Sequence, residues 1–325
     1  MKKTLLAFIC LLLFCIVLVV PVLLQYPRAS WGDSKPDKTV QPTSTYTLIT
    51  PQLTPKNTPC TTPTNTPKQT QQPTPQTSLP VPVQSSNRTL DEAIANATYY
   101  LQNTSEPYAL LWLNVAYRRF NITVFDDSLQ LYDNVLAQSP QENQPLLRLF
   151  RRIGDYNNPI QSGDLQAVTS ETDKLTVPAL YCNRYGLSIN YAETLAQAAN
   201  SQDYLVTHAL LATIWIGENG YGLSMPDGYY YTLYHANAAL INNDSMVTDL
   251  ELEAATFLCL AGQSSMVNTN FIKNVIAAQN SDGGWSTSNT TSEASNWHST
   301  VLALLLLLDE KNPAASYPPT LAAIV

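Results

Sequence analysis

Apolar positions along residues 89–325 fall into segments of two alternating kinds. Ser188–Ala199, Gly228–Ile241 and Asn268–Gln279 carry apolar residues on a single stripe at helical spacing. The segment after each of them, Gln202–Gly217, Thr248–Ala261 and then Ser292–Asp309, is apolar nearly all round. In the last pair Phe271, Ile272, Val275 and Ile276 mark the stripe, and Val301, Leu302 and Leu304 to Leu308 fill the partner. A helix that is apolar all round has to be buried on every side. Upstream, Thr89-Leu90-Asp91-Glu92 is a capping box opening a helix to Gln102. Ser105–Phe120 and Asp126–Gln138 follow, with shorter helices predicted at Gln144–Ile153 and Val177–Arg184. No segment shows sustained strand alternation. The two-faced helices start near residues 188, 229 and 268, a period of roughly 40 residues that marks a repeat architecture. Each pair buries its faces only against neighbours, so closing the array into a ring removes exposed ends. The expected fold is all-α, an α/α toroid of five or six helix pairs.

The N-terminal quarter has another character. Residues 5–24 form a charge-free apolar run after Lys2 and Lys3. At ~1.5 Å per residue it spans about 30 Å, one bilayer core. It reads as a transmembrane signal anchor, with residues 1–4 cytoplasmic by the positive-inside rule; a cleaved signal peptide is the rival reading. Residues 25–88 are a Pro/Thr-rich stalk, too poor in large apolar residues to fold and biased by proline to extended backbone. Residues 89–325 then hold a core-sized domain. Eight Lys/Arg against two acids give the first 88 residues a charge of +6, and nine against 23 give the remainder −14. So acidic a domain, without basic runs, excludes nucleic acid and anionic lipid surfaces as its partners. The expected location is the cell membrane, single-pass through residues 5–24, with the C-terminal domain outside. Sequons at Asn87, Asn96, Asn103, Asn121, Asn243 and Asn289 fit an exported glycoprotein. Cys182 and Cys259 are either a disulfide or two buried thiols, and no zinc-type cysteine spacing occurs.

Asn280-Ser281-Asp282-Gly283-Gly284 stops the last two-faced helix by its turn chemistry. Gln279, Gly283 and Trp285 together match the Gln-Trp motif, and "DGGW" followed by "WHSTVLALLLL" resembles the repeats of the terpenoid cyclase and protein prenyltransferase β-subunit superfamily. A worn second copy runs from Gln102 to Tyr108. The resemblance implies an α/α toroid in which the motif glutamine caps an outer helix and stacks on the tryptophan. Neither of the superfamily's catalytic sets is present. The Asp-x-Asp-Asp acid of the cyclases is reduced to Asp126-Asp127, with Val124 at the first position, and the Asp-x-Cys zinc pair of the prenyltransferases is missing. No cofactor is therefore expected; zinc is conceivable but without ligand spacing to support it. Asp282 is expected to form the turn.

In such a barrel all inner helices run parallel, so residues at equal depth meet around one mouth. His208 and His298 lie equally early in their apolar helices. They are the candidate catalytic residues, since a neutral imidazole can bind metal or move protons near pH 7. Trp112 and Trp297 fall at similar depth, Thr207 and Thr300 flank the histidines, and Glu251 or Glu253 could join them. His235, among Tyr229 to Tyr231 and Tyr234, reads as structural. Three functions remain open: a surface-displayed module binding a glycan, peptide or lipid in or near the cavity; a toroid enzyme acting on polysaccharide or isoprenoid; a structural surface component.

Overall fold

The computed structural model describes residues 88–161, 163–242, 246–288 and 294–323. The expected anchor and stalk lie outside them. Among the described residues no helix is long and apolar enough to cross a membrane. They form twelve α-helices and no strand, joined by short 3-10 turns; Trp285 and Asn296 make an isolated antiparallel bridge. The chain is all-α.

Helix starts follow local capping chemistry. α1 (Leu90–Leu101) opens on the Thr89/Glu92 capping box and α2 (Pro107–Phe120) on a proline in its first turn. α3 (Ser128–Gln138) and α4 (Gln144–Phe150) complete the first group. α5 (Glu171–Leu180) begins at Ser170, whose side chain accepts from the Asp173 amide, and the short α6 (Cys182–Tyr185) continues it. The sequence reading started this segment at Val177, because the polar first turn hides the cap. α7 (Tyr191–Ala198), α8 (Tyr204–Glu218), α9 (Tyr229–Leu240), α10 (Asp249–Leu260), α11 (Thr269–Ala277) and α12 (Trp297–Lys311) follow. Asp203, Thr248, Asn268 and Asn296 cap α8, α10, α11 and α12 with their side chains.

The wholly apolar helices are the buried ones. Every residue of α10 but Leu250 is buried, as is every residue of α12 from Ser299 to Asp309. Neighbour contacts run from α2 to α12, α10, α8, α5, α4 and α3 and back to α2. α1 packs on α12, and α9 on both α8 and α10. Trp112 of α2 stacks at 6.5 Å on Trp215 of α8 and lies 6.1 Å from Phe257 of α10, an aromatic cluster joining three helices. Cys182 and Cys259 are free thiols, both buried.

The turn from Gln279 to Trp285, between α11 and α12, is tied to α1. Gln279 Nε2 donates to the Ala93 carbonyl of α1 and to the Gly283 carbonyl, both at 2.8 Å. Trp285, almost fully buried, donates its indole N–H to the Val275 carbonyl at 2.8 Å and its amide to Thr300 Oγ1 at 3.0 Å. Asp282 accepts from the Gly284 amide and from Ser295 Oγ, a turn-forming position. Away from that turn, residues 318–322 cross the C-terminal ends of α2 and α8. Glu218 accepts from the amides of Thr320 and Leu321 and from the Thr320 hydroxyl. Arg118 donates to the Thr320 carbonyl at 2.6 Å, and Trp215 Nε1 to Thr320 Oγ1 at 3.1 Å.

Candidate functional site

Three helix beginnings converge at the other end. α10 presents Asp249 and Glu253, one turn apart and hence on one face. α8 presents Tyr204, Thr207 and His208, and α12 presents His298 and Ser299. His298 Nδ1 is 3.0 Å from both oxygens of Asp249, and its Nε2 is 3.5 Å from Glu253 Oε2. His208 Nδ1 lies 3.2 Å from the other Glu253 oxygen, which also accepts the Thr207 hydroxyl. Glu253 is thus shared by the two histidines. Ser299 Oγ donates to Asp249 Oδ1 at 2.6 Å and Tyr204 OH to Oδ2 at 2.8 Å.

Both carboxylates are buried, Asp249 at 6% exposure and Glu253 at 1%. Among the described residues no lysine or arginine bridges either of them; their ionic partners are the two histidines alone. A buried charge is costly unless paired. With His298 protonated, this cluster still carries more negative than positive charge unless His208 is charged as well. One ligand atom each from Asp249, Glu253 and His298 lies within 4.8 Å of the others, a group able to hold a metal ion. The hydroxyls of Ser299, Tyr204 and Thr207 fix the carboxylates from behind, as outer partners of a ligand set do.

The electrostatics follow from these contacts. Burial pushes the Asp249 carboxyl up, but hydrogen bonds from His298, Ser299 and Tyr204 outweigh it and leave the group below its ordinary range. Burial disfavours the His298 imidazolium, but the bond to Asp249 and the charges of Asp249 and Glu253 outweigh that and raise its pKa. Burial, then Asp249, push the Tyr204 phenol far up, so it remains a donor. A raised histidine stabilises the fold fully below its unfolded pKa of about 6.5 and loses that as pH rises through the folded value. A depressed Asp contributes above about 3.9 and loses that as pH falls through its folded value. In the presence of chelator, the melting gap between the parent and a His298→Gln chain is therefore expected to be widest between these limits and to narrow above neutrality. A gap that does not change with pH would overturn the assignment.

Of the residues singled out from sequence, His208, His298, Thr207 and Glu253 come together here, and Trp297 packs edge-on against His298 at 5.3 Å. Trp112 lies instead in the aromatic cluster with Trp215 and Phe257. Glu251 is taken up by the cap of α10, accepting from the Thr248 and Asn242 amides, and Thr300 by the Gln-Trp turn. His235 stacks on Tyr231 at the surface of α9. Asp249, Tyr204 and Ser299 were missed. The available signal for Asp249 is three acids at alternate positions, Asp249, Glu251 and Glu253, at the head of a helix that is otherwise almost wholly apolar. One sequon is corrected: Asn96 is buried on the inner face of α1, with Nδ2 3.4 Å from Gln279 Oε1, and is closed to glycosylation. Asn103 and Asn121 are exposed; Asn87, Asn243 and Asn289 lie outside the described residues. Comparison with family models, with curated proteins and with solved structures finds no match to this chain.

Proposed function

We propose that this chain is a membrane-anchored, extracellular α/α toroid that holds a divalent cation at the mouth formed by α8, α10 and α12 and takes its ligand there. The toroid reading rests on the closed circuit of helix contacts and on the burial of its apolar helices. It comprises five helix pairs and a sixth in which the loop before α5 stands in for an outer helix. The observation that carries the site is the convergence of half-buried His298 with two buried carboxylates, Asp249 and Glu253, that have no lysine or arginine partner among the described residues. A divalent ion in place of the imidazolium proton would balance the two carboxylates. One imidazole and two carboxylates are a zinc-type set that leaves a coordination position open. That position suits an oxygen donor of a glycan or peptide, with half-buried Trp297 and partly exposed Tyr204 beside it to stack on a ring or chain.

An enzymatic reading has one observation in its favour. His208 Nδ1 faces the Tyr204 carbonyl at 2.8 Å, and Nε2 has no partner among the described residues, so this ring could exchange protons with a ligand. His298, with a carboxylate at each nitrogen, suits ligation better than proton transfer.

The test is calorimetric titration of zinc into the chelator-stripped chain. We expect one ion per chain with micromolar or tighter affinity, weakened about a hundredfold or more by His298→Ala. Stoichiometry near zero in the parent, or an unchanged affinity in the variant, would refute the proposal.

A further inference from the structure

A pocket of about 390 Å³ lies at the C-terminal end of α8, bounded also by α7, α9, the end of α10 and the loop after α8. His208 precedes Glu218 by roughly 15 Å of helix, so this pocket is distinct from the acid–histidine mouth. Its floor is aliphatic and buried: Leu195, Leu210 and Leu260. Its rim carries half-buried Leu223 and Met225 and phenol rings such as Tyr230, which is 48% exposed. An apolar cleft of this size with a few polar groups at its edge has the form of a small-molecule site.

Two details define what it would accept. The one carboxylate in the wall, Glu218, is already satisfied by the amides of Thr320 and Leu321 and by the Thr320 hydroxyl, so it makes no demand for a cation. An anionic ligand would meet that carboxylate within an acidic domain. The second detail is Gly217, in the last turn of α8 and in the pocket wall. Glycine weakens a helix relative to alanine. Here its φ is not in the left-handed region, and a Cβ would meet no heavy atom within 4 Å. Neither backbone conformation nor packing calls for glycine at this position in the pocket wall.

We propose that this pocket binds the aliphatic chain of an uncharged single-chain amphiphile, with its hydroxyl or amide head among the rim phenols. Leu, Ile and the adaptable Met225 match a flexible hydrocarbon, and Tyr230 and Tyr234 offer hydroxyls to the head. The inference goes beyond the proposed cation site and stands without it.

The test is photolabelling of the full chain in nanodiscs with a diazirine analogue of decanol, with the labelled peptides mapped. We expect label within residues 223–234, displaced about tenfold more effectively by decanol than by decanoate or decylamine. Gly217→Leu should lower that labelling about tenfold with the melting temperature retained. Should Gly217→Leu fail to fold, Leu223→Glu on the exposed loop carries the same expectation. Label elsewhere only, labelling that persists in the folded variants, or equal displacement by the charged competitors would overturn the proposal.

Discussion

A Gly283→Ala chain is expected to lose a large part of its folding stability. Gly283 has φ +94°, and a Cβ there would lie 2.4 Å from the backbone oxygen of Asn96 and 2.9 Å from its carbonyl carbon. Neither side can yield easily. Asn96 is in the body of α1, and the Gly283 carbonyl is held by Gln279, which also grips α1 through Ala93. Left-handed backbone costs a non-glycine residue about 1–2 kcal/mol, and forced overpacking a further 1–3 kcal/mol. The combined loss of about 2–5 kcal/mol is set against a typical domain's margin of about 5–15 kcal/mol. Urea unfolding of the variant measures it. Gly220→Ala is the control, since φ is +64° there but no atom lies within 4 Å of the added carbon, so only the backbone cost is expected. Equal losses at the two positions would show that the contact with α1 contributes nothing.

The second large effect is on binding. Glu253→Gln keeps the shape of the side chain and removes its charge. In the proposed site Glu253 is one of three ligands, so zinc affinity should fall by about a hundredfold or more. The metal-free chain should respond in the opposite sense. A buried carboxylate whose ionic partners are imidazoles costs stability in the absence of a cation. Above the pH at which His298 loses its proton, the amide variant is expected to melt at the parent temperature or above. Calorimetry and thermal melts on one preparation read both quantities. Unaltered zinc binding together with a loss of several kcal/mol would make Glu253 a packing residue.

Much of the helical framework was legible because burial writes itself into periodicity: α8, α10 and α12 are apolar all round and are the buried helices. α5 was truncated in the reading because Ser170, Glu171 and Asp173 form a polar first turn. The loop before it carries no periodicity, so the pairing there could not be read. At the site, equal depth in successive apolar helices was enough to bring His208 and His298 together. Asp249 stayed hidden because an acid in a first turn is ordinarily explained by the helix dipole, and only the packing of α12 on α10 brings a histidine to it. The burial of Thr320 and Leu321 depends on Glu218, about a hundred residues away in sequence, a relation that no local pattern carries.

The seam between the first helix and the last has a consequence for biogenesis. Ala93 waits for Gln279, and Arg118 and Glu218 wait for Thr320. While the polypeptide is still being translated, α1 and α2 have no finished surface to settle on. Such distant pairings slow folding and leave greasy flanks uncovered in the meantime. The domain should reach its native state only after Thr320 and Leu321 have left the ribosome.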